Sequence, residues 1–454
     1  MPPSPPGKTL RKSLSHVGGS GRFSGDESLR ELMQRASNTF VAGAAGSKDG
    51  DGDGGRGDAS FTSGAERALT HGFHPWPGRL HPQTARELIR AAPEGIIADP
   101  FMGAGTVPLE AMLAGREAWG NDLNPVGSEV AWVRTRRFST GALNALVGRA
   151  KALTKKAEAL VAGGAVPDAA FRDAVGRWFD PQALIEVWAL AQCLREGDPT
   201  WQGSPADPLT RVLKMCLSSI LVKASRQVSD SVAKLDRRDL EPTPKGRVGH
   251  WLKKRTEELA GQLDELAATV GRSVPEPHLL LGDARTPPEP RPPFAAVISS
   301  PPYPGVYDYL THHALRCAVL GLPVGDATQH EIGSRRASER LGKERAHARY
   351  VEDLGRVLAA WSATLLPGGF VALVIGDGQS GTDVVRVLPL LEASAKAAGL
   401  VVRATLSQSR PTFGPPVQAA FGPSVQAAVA PRPTKAPPRK EEHLVWLERG
   451  APSA

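Results

Sequence analysis

Cysteine is scarce in this chain, with three in 454 residues, at Cys193, Cys216 and Cys317. An odd, widely spaced set provides no disulfide framework and no metal-ligand pair, and it fits a reducing interior. Long apolar runs are also missing. No stretch approaches the ~20 residues that a membrane-spanning helix needs. The amino terminus, Met1-Pro2-Pro3-Ser4-Pro5-Pro6, lacks the apolar core of a secretory signal. These absences predict a cytoplasmic protein. Acid is in the minority: 55 Lys and Arg against 47 Asp and Glu leave a formal charge of +8, compatible with a polyanionic partner. At 41% hydrophobic and 22% charged, the chain has material for a sizeable core and length for two or three domains.

Residues 1–65 lack the apolar surface that folding requires. Pro2 to Pro6, the basic Lys8, Arg11 and Lys12, and the Asp-Gly alternation up to Gly57 predict a disordered tail, interrupted by a short amphipathic piece at Leu29 to Met33. Asp49-Gly50-Asp51-Gly52-Asp53-Gly54 resembles part of a calcium loop. It has neither flanking helices nor a Glu at the twelfth loop position, so it reads as a solvated linker. His71, His74 and His81 lie among prolines without helical spacing or partner carboxylates, and no metal is expected there.

Two stretches carry chemistry. The first follows a strand at Gly95-Ile96-Ile97-Ala98: Asp99-Pro100-Phe101-Met102-Gly103-Ala104-Gly105-Thr106, then a helix from Val107 with Pro108 in its first turn. Gly103 and Gly105 let the backbone approach a ligand, and the helix start offers free N–H groups. A second strand, Ala118-Trp119-Gly120, ends at Asp122, the position from which an acid reaches ribose hydroxyls. There is no G-K-[ST], and the third glycine of the dinucleotide pattern is replaced. Asp99 inside the loop would repel a pyrophosphate and pair with an amine. An adenosine-bearing cofactor with a positive tail fits best, and S-adenosylmethionine is the candidate.

The second stretch is Ser299-Ser300-Pro301-Pro302-Tyr303, after the apolar strand Phe294-Ala295-Ala296-Val297-Ile298. Two prolines fix two φ angles, remove two donors and hold Ser300 extended. The chain is thus rigid at a strand's carboxyl end, where open α/β sheets place their ligands. A hydroxyl, free carbonyls and an aromatic face suit a planar, amine-bearing group. Between the two stretches, residues 136–275 read as helices: Leu143 to Leu160, Phe171 to Trp188, Leu209 to Val222 and Trp251 to Val270. Ten Lys or Arg face five acids between Leu221 and Glu257, among them Lys223, Arg226, Lys234, Arg237 and Arg238, and these predict contact with a nucleic-acid backbone.

Beyond 276 the strand pattern resumes. His278-Leu279-Leu280-Leu281 ends at Gly282-Asp283, where Asp283 serves either an adenine amine or a helix cap. Arg335 to Arg349 reads as a mobile polar loop, Tyr350 to Leu366 as a helix, Phe370 to Ile375 as the most apolar strand, and Val384 to Ala398 as a helix. Leu400-Val401-Val402 and His443 to Leu447 read as an antiparallel pair. Between them the duplicated Phe413 to Ala428 and its Pro/Ala-rich surroundings, 411–440, form a loop without chemistry.

Taken together, Asp99-Pro100-Phe101-Met102-Gly103-Ala104-Gly105-Thr106, Ser300-Pro301-Pro302-Tyr303 and Phe73-His74-Pro75-Trp76-Pro77 resemble motifs of the amino-methylating DNA methyltransferases, most closely the N4-cytosine group. Leu365 to Gly369 and Glu442 to Trp446 are weaker matches. The resemblance implies a Rossmann-like, seven-stranded α/β sheet split into halves at 66–135 and 276–454, with the basic helical insertion, 136–275, as target-recognition region. It implies S-adenosylmethionine as cofactor without a metal, and a target base flipped out of DNA. It assigns Asp99 to the methionine amine, Asp122 to the ribose and Asp283 to the adenine, with His74, Pro75, Phe101, Gly103, Gly105 and Thr106 also at the cofactor and Ser300 to Tyr303 catalytic. DNA is the implied partner, with RNA as the alternative, alongside a cognate restriction endonuclease. The serine-first motif leaves adenine N6 and RNA guanine N2 open as targets, and a non-catalytic nucleic-acid-binding protein of the same fold is the alternative from another class; the absence of a Pro-Cys pair argues against C5-cytosine.

Overall fold

The computed structural model describes residues 19–37, 39–40, 68–196, 207–230, 232–236, 241–381, 383–409 and 440–450. Its strands are β1 (Gly19–Gly25), β2 (Thr39–Phe40), β3 (Ile96–Asp99), β4 (Ala118–Asp122), β5 (Gln227–Ser229), β6 (Val232–Leu235), β7 (His278–Leu281), β8 (Phe294–Ser299), β9 (Leu365–Gly376), β10 (Gly378–Ser380), β11 (Asp383–Val385), β12 (Leu400–Ser409) and β13 (Glu441–Arg449). Nine of them form one sheet in the order β2-β1-β12-β13-β9-β8-β3-β4-β7; β5–β6 and β10–β11 are separate hairpins. The segment from β9 to β7 is parallel. At the other side β13 lies antiparallel to β9, and β12 antiparallel to β13, pairing Val402 with Leu447 as the sequence predicted.

This is a mixed α/β architecture compatible with a Rossmann-like methyltransferase fold. Seven strands match the expectation, and the amino terminus adds two more. Residues 19–37 are therefore not the disordered tail that composition predicted: β1 pairs antiparallel with β12, and helix α1 (Arg30–Ser37) buries Met33 and Ala36. Backbone hydrogen bonds alone can add a strand, so the apolar-poor Gly19–Gly25 joins the β12 side of a sheet that is already built, with the short β2 outside it. The Asp-Gly run and the duplicated segment lie outside the described residues.

Further helices are α2 (Pro82–Ala91), α3 (Thr106–Leu113), α4 (Pro125–Thr135), α5 (Thr140–Ala162), α6 (Ala169–Val175), α7 (Pro181–Glu196), α8 (Pro208–Ala224), α9 (Arg247–Thr269), α10 (Tyr309–His312), α11 (Ala314–Leu320), α12 (Ala327–His330), α13 (Arg335–Leu341), α14 (Lys343–Ser362) and α15 (Val387–Ala397). Side chains alternate between faces along each strand. Phe370, Ala372 and Val374 pack with Leu88 and Ile89 of α2, whereas Val371, Leu373 and Ile375 pack with Leu354, Trp361 and Leu391 of α14 and α15. The predicted run Phe171 to Trp188 is two helices, broken by a 3-10 turn at Gly176–Trp178 and restarted at Pro181. Arg335 to Arg349 is helical rather than a loop: Ser334 caps α13, and α14 begins at Lys343.

The helical insertion is not a lobe with its own core. Leu146, Val187, Leu217 and Leu259 share one buried cluster with Leu109, Met112, Val126 and Val130 of α3 and α4. Arg211 on α8 forks onto Glu129 of α4 at 2.7 and 2.9 Å, which fixes the junction. Among the described residues no helix is long and apolar enough to cross a membrane.

Trp361 ties α14 to the sheet: it stacks on Phe294 at 5.8 Å, and its Nε1 donates to the Ala284 carbonyl at 2.9 Å. Trp361→Ala is expected to cost about 3–5 kcal/mol, read as a lowered urea midpoint; a loss near zero would contradict this packing.

Candidate active site

The sheet reverses its winding between β3 and β8. From β3 the chain moves to β4 and β7 on one side, then returns to place β8 on the other. Ligands bind at the carboxyl ends of strands beside such a reversal. Those ends carry Asp99 and Ser299–Ser300, the starts of both sequence motifs.

They are joined directly. Ser299 Oγ donates to Asp99 Oδ1 at 2.5 Å, and the Phe101 N–H donates to the same oxygen at 3.1 Å. Asp122, at the tip of β4, accepts from the Asn124 and Gly103 N–H groups, each at 2.8 Å. Gly103 and Gly105 both have positive φ, +50° and +78°. A Cβ at Gly103 would meet the Trp76 indole at 2.8 Å, and one at Gly105 would meet Ala131 of α4 at 2.7 Å. The glycines thus serve the turn and its packing; the expected close approach to a ligand is not their evident reason at Gly105, which caps α3.

The cavity above these loops is lined by Asp99, Phe101, Gly103, Thr106, Asp122, Asp283, Ser300 and Pro302, eight residues that the sequence singled out. His74, Pro75, Gly105, Pro301 and Tyr303 are not in its lining. His74 is buried toward the insertion, its Nε2 on Ser218 Oγ at 3.0 Å and its Nδ1 on the Pro75 carbonyl at 2.9 Å. The cavity is met by its neighbours Trp76, Gly78, Arg79 and Leu80. The other two histidines are also spoken for, His71 against Glu110 at 2.8 Å and His81 capping α2.

Tyr303 is 6% exposed, and its hydroxyl donates to Glu442 at 2.6 Å. The loop that follows Ser300 is braced by three further hydrogen bonds. Tyr350 donates to the Pro302 carbonyl at 2.9 Å, the Gln379 N–H to the Pro304 carbonyl at 2.9 Å, and the Gly305 N–H to the Gly333 carbonyl at 2.9 Å. Lys223, in the last turn of α8, and Arg226, two residues beyond its end, are exposed, Lys223 with its ammonium 4.5 Å from the Trp251 ring centre, and Lys234 is exposed on β6. Arg237 and Arg238 lie outside the described residues.

Electrostatically the cavity is acidic. Burial pushes the Asp99 carboxyl up to about 7 and that of Asp122 up to about 6. Glu331, which sequence reasoning missed, also lines the cavity and is pushed up to about 7 by burial. Asp283 differs: burial works against its ionisation, but Arg285, donating at 2.6 Å, outweighs this and holds it below the ordinary carboxylate value. Thr106 Oγ1 is buried with no hydrogen-bond partner among the described residues. The lining therefore fits a ligand that brings hydrogen-bond donors and positive charge. Ser299 and Trp76 stand inside stretches that the sequence singled out without giving either a role; Glu331 carries no sequence signal.

Asp377, Glu441 and His443 bring ligand-type atoms within 4.8 Å of one another. Asp377 already accepts from Arg386 at 2.5 Å and from the Val387 and Glu441 N–H groups, and Glu441 pairs with Arg22. The trio works as an ion-pair network tying β13 to α15.

An acid whose pKa is raised by folding opposes the fold once ionised. For Asp99 that penalty grows as pH rises from 3.8 toward about 7 and is full above it. Asp99→Asn keeps an acceptor for Ser299 and Phe101. It should stabilise the ligand-free protein at pH 8, by about 2–4 kcal/mol, and do little at pH 4.5. Equal melting shifts at both pH values would refute the assignment.

No protein-family model matches the chain. Over 146 residues it is 27% identical to the Type II methyltransferase M.MvaI of Kocuria varians, a match covering 30% of this chain and 32% of that protein. Over 86 residues it is 31% identical to the Type II methyltransferase M.MjaII of Methanocaldococcus jannaschii, covering 18% of this chain and 16% of that protein. The matches span about a third and about a sixth of these relatives' lengths. Over these limited spans the chain is homologous to Type II methyltransferases.

Proposed function

We propose that this protein transfers a methyl group from S-adenosylmethionine to the exocyclic N4 amine of cytosine in DNA, at a specific sequence. The observation that carries the reading is the convergence of Asp99, Asp122, Thr106 and Asp283 with Ser300 and Pro302 on one cavity at the β3–β8 reversal. Similarity to Type II methyltransferases supports the methyl-transfer part of this reading.

In this reading Asp99 holds the methionine amine, Asp122 the ribose hydroxyls and Asp283 the adenine amine, with Phe101, Gly103 and Thr106 around them. S-adenosylmethionine supplies an activated methyl group on a sulfonium. The chain's own residues supply position and polarity. An exocyclic amine is a weak nucleophile because its lone pair is delocalised into the ring. Acceptors at Ser300 Oγ and the Pro301 carbonyl draw the amine N–H bonds and favour a pyramidal nitrogen. The paired prolines keep those acceptors fixed. Tyr303 is anchored on Glu442, and its ring becomes a stacking surface for the flipped base only if target binding uncovers it. No covalent nucleophile is used, and no metal is needed.

Lys223, Arg226 and Lys234 of the insertion, with Arg237 and Arg238, contact phosphates in this reading, and β6 packs beside α10 at the rim of the cavity. A cognate restriction endonuclease is the partner it implies.

Incubation with labelled S-adenosylmethionine and DNA, followed by nucleoside mass analysis, should yield N4-methylcytosine. N6-methyladenine, or N2-methylguanosine from an RNA substrate, would overturn the target. Ser300→Ala should lower kcat about 10²-fold with cofactor affinity kept. Undiminished transfer by the Ser300→Ala, Tyr303→Ala double variant would remove the catalytic loop from the mechanism.

A further inference from the structure

Pro301 and Pro302 have no backbone N–H, so only their carbonyls can fasten that part of the loop. Tyr350 fastens the second of them, its hydroxyl donating to the Pro302 carbonyl at 2.9 Å. The Tyr350 ring is buried on α14, and burial raises the phenol's pKa, so the hydroxyl keeps its proton and remains a donor. Gly333 fits the ring to the loop. A Cβ there would lie 3.1 Å from Tyr350 Cε2 and 3.4 Å from the Tyr303 carbonyl oxygen. Tyr350 is not in the cavity lining, whereas Ser300 and Pro302 are, so its effect on the cavity runs through the loop.

The same helix is bonded to the cavity wall at a second place. Asp353, one turn beyond Tyr350 and also buried, accepts from Arg285 at 2.5 Å, and Arg285 donates to Asp283 at 2.6 Å. One stretch of α14 thus holds the two-proline loop through Tyr350 and the tip of β7 through Asp353 and Arg285. With the Pro302 carbonyl taken by Tyr350, the acceptors left for a target amine are Ser300 Oγ and the Pro301 carbonyl.

Resting on the methyl-transfer reading of the cavity, we infer that Tyr350 is a positioning residue for that reaction: its hydroxyl fixes the two-proline segment and so sets the aim of Ser300 Oγ and the Pro301 carbonyl at the acceptor amine. The proline rings lock φ and leave ψ free. The hydrogen bond at Pro302 removes that remaining freedom. A misplacement of ~1 Å in such a group costs on the order of 10²-fold in rate.

Single-turnover methyl transfer from S-adenosylmethionine to unmethylated double-stranded DNA, at saturating protein and cofactor, tests the inference. Tyr350→Phe keeps the ring against Gly333 and removes only the hydroxyl. It should transfer about tenfold more slowly, with calorimetric affinity for S-adenosylmethionine unchanged within about twofold. Leu358→Ala hollows the buried packing of α14 without touching that hydrogen bond. It should lower the melting temperature more than Tyr350→Phe does and keep the wild-type rate within about twofold. Equal slowing in both variants would make Tyr350 a packing residue and overturn the inference, as would a Tyr350→Phe protein impaired only in cofactor affinity. If the wild type transfers no methyl group to DNA, the methyl-transfer reading itself falls. If it does and Tyr350→Phe keeps pace with it, that reading stands and the role of Tyr350 falls.

Discussion

One hydrogen bond organises the functional end of this molecule: Ser299 Oγ to Asp99 Oδ1, at 2.5 Å, across neighbouring parallel strands 200 residues apart in sequence. It exists because β3 and β8 are paired in register, Ala98 beside Val297, so that their carboxyl ends finish side by side. Everything the cavity contains depends on that coincidence. The glycine turn departs from Asp99, the two prolines depart from Ser300, and the helical insertion is routed between them without disturbing the pairing. A buried carboxylate with only one hydroxyl and one N–H to solvate it stays partly unsatisfied, and this is what gives the cavity its preference for positive charge.

The strand skeleton was legible because parallel strands buried on both faces read as short apolar runs bounded by turn residues. Ile96–Ile97, Phe294–Ile298 and Phe370–Ile375 announce themselves, as does the antiparallel pair at Val402 and Leu447. The two motifs were legible for another reason: backbone rigidity and left-handed turns demand proline and glycine. What escaped was whatever rests on long-range placement. β1 has almost no apolar content and joins by backbone pairing to β12. Glu331 lies in unremarkable local sequence and Glu442 opens only a weak motif match, and the folded chain alone brings one to the cavity and the other to the Tyr303 hydroxyl. His74 illustrates the converse. Its motif-like neighbourhood is real, yet the imidazole turns to Ser218 on α8 and secures the insertion, while Trp76 and Arg79 take the cavity wall.

The insertion shows how a charge count and a packing pattern answer different questions. Its basic residues mark a surface, but its apolar residues merge with the core under α3 and α4, and Arg211 clamps onto Glu129. The insertion and the α3–α4 side of the sheet therefore form one packed body, in which α8 carries both the exposed Lys223 and the Ser218 that holds His74.

The central claim is electrostatic: Asp99, Asp122 and Glu331 form an acidic cavity in which burial keeps Asp99 and Glu331 partly protonated near neutrality, so that binding a cation completes their ionisation. Calorimetric titration with S-adenosylmethionine at pH 6.5, repeated in buffers of different ionisation enthalpy, measures the protons exchanged on binding. Because a bound cation lowers the pKa of each carboxyl, the account predicts net proton release that shrinks as pH rises above 8. Proton uptake, or heats independent of the buffer at pH 6.5, would contradict it.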